Sequence, residues 1–267
     1  MIVEWNAHMF SSDVQRYPFH PQAAYLPPDE RRSPDPVGAY LQRMETVGID
    51  RAVLVQPEPY GDDHRLLLDC LDYDGERLKG ACLFLPRDPD ASAKLKSLVR
   101  REPRIVALRF HAHRGKEQYL DSFDDLAVRD LWRCAGELGL VIELHIGPNY
   151  ARQVARAVAD YPAFPVLIDH LAEPQMGTSD EYDHVLALGK HRNVTIKLSG
   201  LTHCSHTPEP HLDLKPLVTR LARAFGPERL AWSSGSPHLI VDSLLDGWSE
   251  QERAQVKGLN LARLAGF

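Results

Sequence analysis

The chain has 267 residues, 43% of them hydrophobic and 25% charged, with a formal net charge of −6 and an isoelectric point near 6.1. This acidic balance argues against binding to nucleic acid or to anionic membranes, and no apolar run approaches the roughly 20 residues that cross a bilayer. The amino terminus lacks signal-peptide features and the four cysteines include no C-x-x-C pair, so we expect a cytoplasmic protein with reduced thiols.

Short apolar, β-branched segments alternate with longer amphipathic ones along the whole chain. The predicted strands are Ile2 to Trp5, Arg51 to Val55, Leu78 to Phe84, Ile105 to Phe110, Leu140 to His145, Phe164 to Asp169, Val194 to Ser199 and Arg229 to Ser233. Apolar residues at three- and four-residue spacing predict helices between them, such as Val37 to Val47, Asp125 to Leu138, Ala151 to Tyr161 and Leu214 to Phe225. Alternation of this kind indicates a parallel sheet with right-handed crossovers.

About eight such units favour an α/β fold of the closed (β/α)₈ or TIM-barrel type, with residues 1–267 as a single domain. An open doubly wound sheet would also want a glycine-rich phosphate loop after the first strand, and the sequence has none. The sequence leaves open whether the protein forms a homo-oligomer.

The segment 11–36 differs from the rest of the chain. It contains six prolines and three aromatic residues, so it is too irregular for a helix and too long for an ordinary connection. Because it follows the first strand, we predict that it lies over the barrel mouth as a lid and contributes a tyrosine or histidine to the pocket.

Polar side chains collect where the predicted strands end, and in a barrel these ends face one shared pocket. Glu4, Asn6 and His8 alternate, which predicts that all three lie on one face of the first strand. Further candidates at later strand ends are Arg109, His111, His113, Glu143, His145, Asp169, His170, Lys197, Ser199 and His238. A single histidine there is more often a hydrogen-bonded structural residue, but together these histidines predict a pocket for metal or acid–base chemistry.

Cationic side chains at two of these strand ends suggest that the pocket binds an anionic substrate. Arg109 and Lys197, with His111, are the candidates, because an arginine binds a carboxylate through two parallel hydrogen bonds. A structural ion pair of Arg109 with Glu143 or Asp169 is an equal alternative.

Two other groups have both a functional and a structural interpretation. Tyr60, after the second strand, either bonds to substrate or packs against the lid. A loop after the seventh strand carries His203, Cys204, His206 and His211; a solvated loop is favoured there over a second zinc site.

At these residues the chain resembles the amidohydrolase-2 branch of the amidohydrolase superfamily, particularly lactonases acting on 2-pyrone-4,6-dicarboxylate and sugar lactones. The resemblance spans almost the whole chain. It rests on residues 16–19 (RYPF), 53–57 (VLVQP), 168–170 (IDH), 197–200 (KLSG) and 225–230 (FGPERL) followed by Trp232.

The chain departs from the pattern of this branch at two places. The family opens with Asp-x-His-x-His, where this chain has Glu4, Asn6 and His8, so that one of two metal-binding histidines is replaced. On the eighth strand Gly235 stands where the family has the aspartate that activates water. Glycine cannot act as a base.

The resemblance implies a hydrolase that opens a small anionic lactone or cyclic ester. Arg109 and Lys197 would anchor a carboxylate, His170 or His145 would position water or polarise the carbonyl, and His238 would protonate the leaving alkoxide. Glu4, His8, His145 and His170 could hold Zn²⁺ or Mn²⁺ with an open position, but the lost ligands favour a metal-free site. The alternatives are a non-oxidative decarboxylase of the same family and a barrel that has lost catalysis and acts as a binding protein.

Overall fold

The computed structural model of the chain describes residues 1–112 and 120–267; His113 lies outside these ranges. Eight strands form one sheet in sequence order, from β1 to β8. They are β1 Val3–Ala7, β2 Arg51–Val55, β3 Leu78–Leu83, β4 Ile105–His111, β5 Val141–His145, β6 Val166–Ile168, β7 Val194–Leu198 and β8 Leu230–Trp232. The described helices are α1 Pro36–Val47, α2 Arg65–Leu71, α3 Ala91–Arg101, α4 Leu126–Glu137, α5 Ala151–Asp160, α6 Ser179–Ala187, α7 Lys215–Phe225, α8 Ile240–Leu244, α9 Glu250–Ala254 and α10 Asn260–Ala265.

Every ladder between neighbouring strands is parallel. At the seam between the last and first strands, the Ser233 hydroxyl donates to the backbone carbonyl of Trp5. The sheet therefore curls into a nearly closed barrel, and the predicted single-domain (β/α)₈ fold is confirmed.

The barrel interior is filled by inward-facing side chains from alternate strand positions, as in other barrels of this kind. These residues form one buried apolar cluster together with α10, and they include Val3, Trp5, Val53, Val55, Ala81, Ala107, Val141, Leu167 and Ala231. Lys79, at the start of β3, donates to the carbonyls of Ala265 and Gly266, so the carboxyl-terminal helix covers the amino-terminal end of the barrel. The opposite end remains for the site.

Local sequence signals account for both ends of α1. Asp35 caps α1 by accepting from the Gly38 amide, with Pro36 at the first helical position, and Gly48 ends the helix with a φ of 73°. Within residues 1–112 and 120–267, no helix has the length and apolar character needed to span a membrane. The four cysteines are free thiols, three of them buried.

Candidate active site

A cavity of about 230 Å³ lies at the carboxyl ends of the strands. It is lined by His8 after β1, Arg109 and His111 of β4, His145 of β5 and His170 after β6, together with Ala24, Tyr25 and Glu58. Five of the residues selected from the sequence thus meet in one place. The segment predicted as a lid supplies Ala24 and Tyr25, and the Ala24 amide donates to the Glu58 carboxylate at 3.1 Å.

A β-bulge in β1 decides which of its polar side chains face this cavity. Trp5 pairs with Val53 but Ala7 pairs with Leu54, so Asn6 is the extra residue, and its φ is 153°. Val3 and Trp5 face the barrel interior, so Glu4 between them faces the helix layer, where its carboxylate accepts from the Tyr40 hydroxyl at 2.6 Å and from Arg43 at 2.7 Å. The bulge changes the register only of the residues that follow it. The prediction that Glu4 shares a face with Asn6 and His8 is wrong, because simple alternation does not hold across a bulge.

His8 is fixed in one tautomer. Its Nδ1 donates to the Val55 carbonyl at 2.9 Å, since a carbonyl can only accept, and its Nε2 therefore carries the lone pair. Burial lowers the pKa of His8 to about 3, so the ring is neutral around pH 7.

His170 lies on an unusual turn directly after β6. Four consecutive residues, from His170 to Glu173, have φ between 46° and 60°, a left-handed conformation that costs roughly 1–2 kcal/mol for each residue with a side chain. The Tyr182 hydroxyl donates to the Leu171 carbonyl at 2.8 Å inside this turn. The close neighbour Gly200 also permits it, because a Cβ there would lie 2.8 Å from the His170 Cβ.

The His170 ring is held on both sides. The Asn6 amide nitrogen lies 3.4 Å from Nε2, and Nδ1 lies 2.9 Å from the Ser199 hydroxyl. With the amide donating to Nε2, the ring proton is on Nδ1 and is given to Ser199. Burial lowers the pKa of His170 to about 3, so this ring too is a neutral acceptor.

Glu173 is a site residue that the sequence interpretation missed. The left-handed turn brings its carboxylate, which is 1% exposed, next to two histidines from other strands. His145 Nε2 donates to Oε1 at 2.9 Å and His203 Nδ1 lies 3.2 Å from both oxygens. Burial alone would raise the pKa of Glu173. The hydrogen bonds from His145 and His203 and the nearby imidazoles outweigh burial, so the pKa of Glu173 lies below its usual value. The sequence offered one signal for Glu173: it is a carboxylate three residues after the strand-end histidine His170.

Lys197 lies beneath the cavity rather than in its lining. Its ammonium is fully buried, 2.6 Å from Glu143 Oε1 and 2.7 Å from Asp169 Oδ1. Trp5 Nε1 donates to the other Glu143 oxygen at 3.0 Å. The prediction that Lys197 anchors substrate is therefore corrected to a structural role, because both neighbouring carboxylates already use its charge.

Arg109 joins this buried network to the cavity. Its Nε and Nη2 donate to Asp169 Oδ2 at 3.0 and 2.8 Å, while its side chain also lines the cavity. Burial raises the pKa of Asp169, but Lys197 and Arg109 outweigh it and hold that pKa well below its usual range. Both interpretations of Arg109, as ion-pair partner and as cavity residue, are thus present in the structure.

The structure places Tyr60 and His238 away from the histidine cavity. Tyr60 is 2% exposed, accepts from the Ser11 amide at 3.0 Å and packs on the Phe19 ring with centroids 5.0 Å apart, so it supports the lid segment. His238 and Gly235 line a second cavity beside α1. The role predicted for His238 as proton donor at the site is corrected accordingly.

The potential metal ligands also differ from the predicted set. Among the residues that the structure describes, His145, His170 and Glu173 are the one group of three potential ligands whose donor atoms lie within 4.8 Å of one another. Glu4 lies elsewhere, as shown above. His203 of the loop cluster bonds to Glu173 instead of joining a second site.

Comparison with known proteins places this architecture among lactone hydrolases. Over 238 residues the chain is 27% identical to a 4-sulfomuconolactone hydrolase of Rhizobium radiobacter, covering 88% of this chain and 75% of that one. It is 28% identical over 197 residues to an L-fucono-1,5-lactonase of Burkholderia ambifaria, covering 71% and 66%. A structure from Pseudomonas putida, a candidate 2-pyrone-4,6-dicarboxylic acid hydrolase, superposes with a TM-score of 0.81 at 25% identity, covering 99% and 97%.

These relatives agree with the hydrolase class predicted from the sequence. The amidohydrolase family model matches residues 4–267. The chain therefore belongs to the amidohydrolase family.

Proposed function

We propose that this protein is a lactonase that adds water to a small anionic lactone. The observation that carries the proposal is the convergence of His145, His170 and Arg109 in one cavity at the carboxyl ends of the strands. The names of the relatives add support, since two specify lactones and the candidate hydrolase from Pseudomonas putida specifies a dicarboxylic acid.

Arg109 and His111 are the residues proposed to hold the anionic group. Arg109 uses Nε and Nη2 for Asp169, which fixes the orientation of the planar guanidinium. An oriented guanidinium loses little side-chain entropy when it binds a carboxylate or sulfonate.

His170 is the proposed base. A water that displaces the 3.4 Å Asn6 amide contact gives a proton to the Nε2 lone pair of His170 while the water oxygen forms a bond to the lactone carbonyl carbon, and the Ser199 hydroxyl accepts from Nδ1 of the imidazolium. The carbon–oxygen bond of the ring then breaks, and the proton passes from His170 to the departing alkoxide, so that the product is a hydroxy acid.

Tyr25, in the lid segment, is the residue proposed to stabilise the oxyanion. Burial raises the pKa of Tyr25, so its hydroxyl remains protonated and can donate a hydrogen bond to the developing oxyanion. Because Glu58 holds the neighbouring Ala24 amide, the tyrosine is positioned by the lid segment 11–36.

Turnover of a lactone panel tests the proposal. Purified protein is incubated with 4-sulfomuconolactone, L-fucono-1,5-lactone and 2-pyrone-4,6-dicarboxylate, and products are followed by proton release and by mass spectrometry. We expect at least one lactone to gain the mass of one water. Loss of CO₂ from an acid, or no turnover of any member of a wider anionic lactone panel, would contradict the proposal.

A cytoplasmic location belongs to the same proposal, supported by the four free thiols. Cell fractionation checks it, and light scattering on the purified protein gives its oligomeric state.

A further inference from the structure

We propose that Asn6 is a catalytic residue that holds the attacking water through its side-chain amide oxygen. This inference rests on the proposed lactonase function, in which His170 Nε2 takes one proton of that water. The second O–H of the water donates to Asn6 Oδ1. Both hydrogens of the water are then engaged, and a lone pair of its oxygen faces the lactone carbonyl carbon in an orientation that favours attack.

The side chain of Asn6 lies directly against the proposed base. Its amide nitrogen is 3.4 Å from His170 Nε2, which is longer than the roughly 2.7–3.2 Å of ordinary N–H donors. The Ser199 hydroxyl lies 2.9 Å from Nδ1 on the opposite edge of the ring, so the imidazole keeps its orientation when the amide moves. A water that enters at Nε2 therefore replaces a weak contact.

The amide oxygen of Asn6 is an acceptor that the protein leaves unused. Among residues 1–112 and 120–267, no side chain or backbone group donates to Oδ1, although this atom is buried. A buried acceptor without a donor is costly, and the large majority of such atoms in folded proteins are paired with protein groups or ordered water. The terminal torsion of asparagine has broad minima, so a rotation of the amide brings Oδ1 to a water at Nε2.

The backbone at Asn6 supports a role for this side chain. Asn6 is the extra residue of the β1 bulge and has a φ of 153°, which residues with a β-carbon rarely adopt. Glycine would fit this backbone without the strain, yet the chain has an asparagine. Strained residues persist where the surrounding structure fixes a functional geometry, and bulges re-aim side chains beside active sites.

The chemical step needs one water and no other reactant. The water oxygen bonds to the carbonyl carbon as its first proton moves to His170 Nε2. The second proton stays on the oxygen, hydrogen-bonded to Asn6 Oδ1, and the asparagine neither gains nor loses a proton. An alcohol has a single O–H, which His170 takes, so attack by an alcohol makes no use of Oδ1. This difference separates the role of Asn6 from that of the base.

Competition between water and methanol tests the assignment. The member of the lactone panel that is hydrolysed is incubated in buffer containing methanol, and the hydroxy acid and its methyl ester are quantified by mass spectrometry. Misplacing a reactant by about 1 Å costs on the order of 100-fold. We expect Asn6→Leu, which keeps the side-chain volume, to lower kcat for hydrolysis by about this factor at an unchanged KM. The ratio of ester to acid should rise by the same factor.

Two control variants separate water positioning from other losses. Asn6→Asp retains an acceptor oxygen, and Tyr25→Phe slows attack by water and by methanol alike. We expect both variants to keep the wild-type ratio of ester to acid, whatever their kcat. Circular dichroism confirms that each variant is folded.

Asn6→Gly adds a measurement that needs no substrate. Glycine relieves the strained φ and removes the unpaired acceptor, so its Tm should equal or exceed that of the wild type while its kcat falls. An unchanged ester-to-acid ratio in folded Asn6→Leu, or an Asn6→Gly variant with wild-type kcat or a lower Tm, would overturn the proposal. These results would leave lactone hydrolysis by the wild-type chain intact, whereas no turnover of the panel by the wild type would reject the lactonase function and this assignment with it.

Discussion

Replacing Lys197 by methionine tests whether this residue stabilises the fold or binds substrate. The ammonium is fully buried and contacts Glu143 at 2.6 Å and Asp169 at 2.7 Å. Methionine keeps much of the side-chain volume but removes the charge, so two buried carboxylates would then share Arg109 as their nearby cation. Breaking a buried ion pair by removing one partner costs about 3–5 kcal/mol of unfolding free energy.

The expected effect is large enough to measure by thermal or chemical unfolding. For a chain of this size, 1 kcal/mol corresponds to roughly 2–4 °C in Tm, so we expect Lys197→Met to lower Tm by about 6–20 °C. The loss should be smaller at pH 5 than at pH 8. The reason is that removal of Lys197 raises the pKa of the buried carboxyl groups above their unfolded values, and proton uptake by the folded variant then relieves the penalty as the pH falls.

Lys94→Met is the matched control. Lys94 also contacts two carboxylates, at 3.1 Å and 2.5 Å, but its side chain is 47% exposed, and such surface pairs contribute about 0–1 kcal/mol. Tryptophan fluorescence follows unfolding of both variants, since Trp5 contacts Glu143 directly. A Lys197→Met variant as stable as Lys94→Met, with a raised KM for an anionic lactone, would refute the structural role and restore the predicted substrate contact.

Three further predictions follow from the described contacts. Burial lowers the pKa of His64 to about 4. Between about pH 6.5 and 4, His64 is therefore protonated in the unfolded chain but neutral in the folded one. This difference should lower the unfolding free energy by about 2 kcal/mol between pH 7 and 5. His64→Gln, which can still accept from the Leu83 amide, should reduce that fall in urea titrations, and an unchanged pH dependence would be inconsistent with the assignment. Gly200→Ala should destabilise the fold and perturb His170, because φ is 62° and the new Cβ would meet that ring; wild-type Tm and turnover would contradict this. Tyr25→Phe should lower kcat about 10²- to 10³-fold without changing Tm, and an equal rate would exclude the tyrosine as an oxyanion donor.

The barrel was predictable because its signals are local. Apolar, β-branched runs and helical spacing each report burial over a few neighbouring residues, and a parallel sheet has few ways to connect them. The convergence of His8, His145 and His170 followed from the same rule, since strand ends in a barrel share one face.

The errors arose where a nonlocal or unusual backbone feature decides the outcome. The bulge at Asn6 put His8 on the opposite face from Glu4, and alternation in the sequence does not show a bulge. Lys197 became structural because carboxylates from two other strands surround it. Glu173 entered the site through left-handed residues that are not glycine, a conformation that composition gives no reason to expect.

The central claim, lactone hydrolysis by the histidine cavity, is tested most directly by the turnover of His170→Asn. The substrate is the lactone that the panel identifies, and exposed His206→Asn serves as the histidine control. Loss of a general base lowers rates by about 10²–10⁴-fold, so we expect His170→Asn to fall in this range while its Tm and that of His206→Asn remain near wild type. Wild-type turnover by a folded His170→Asn variant would contradict the account.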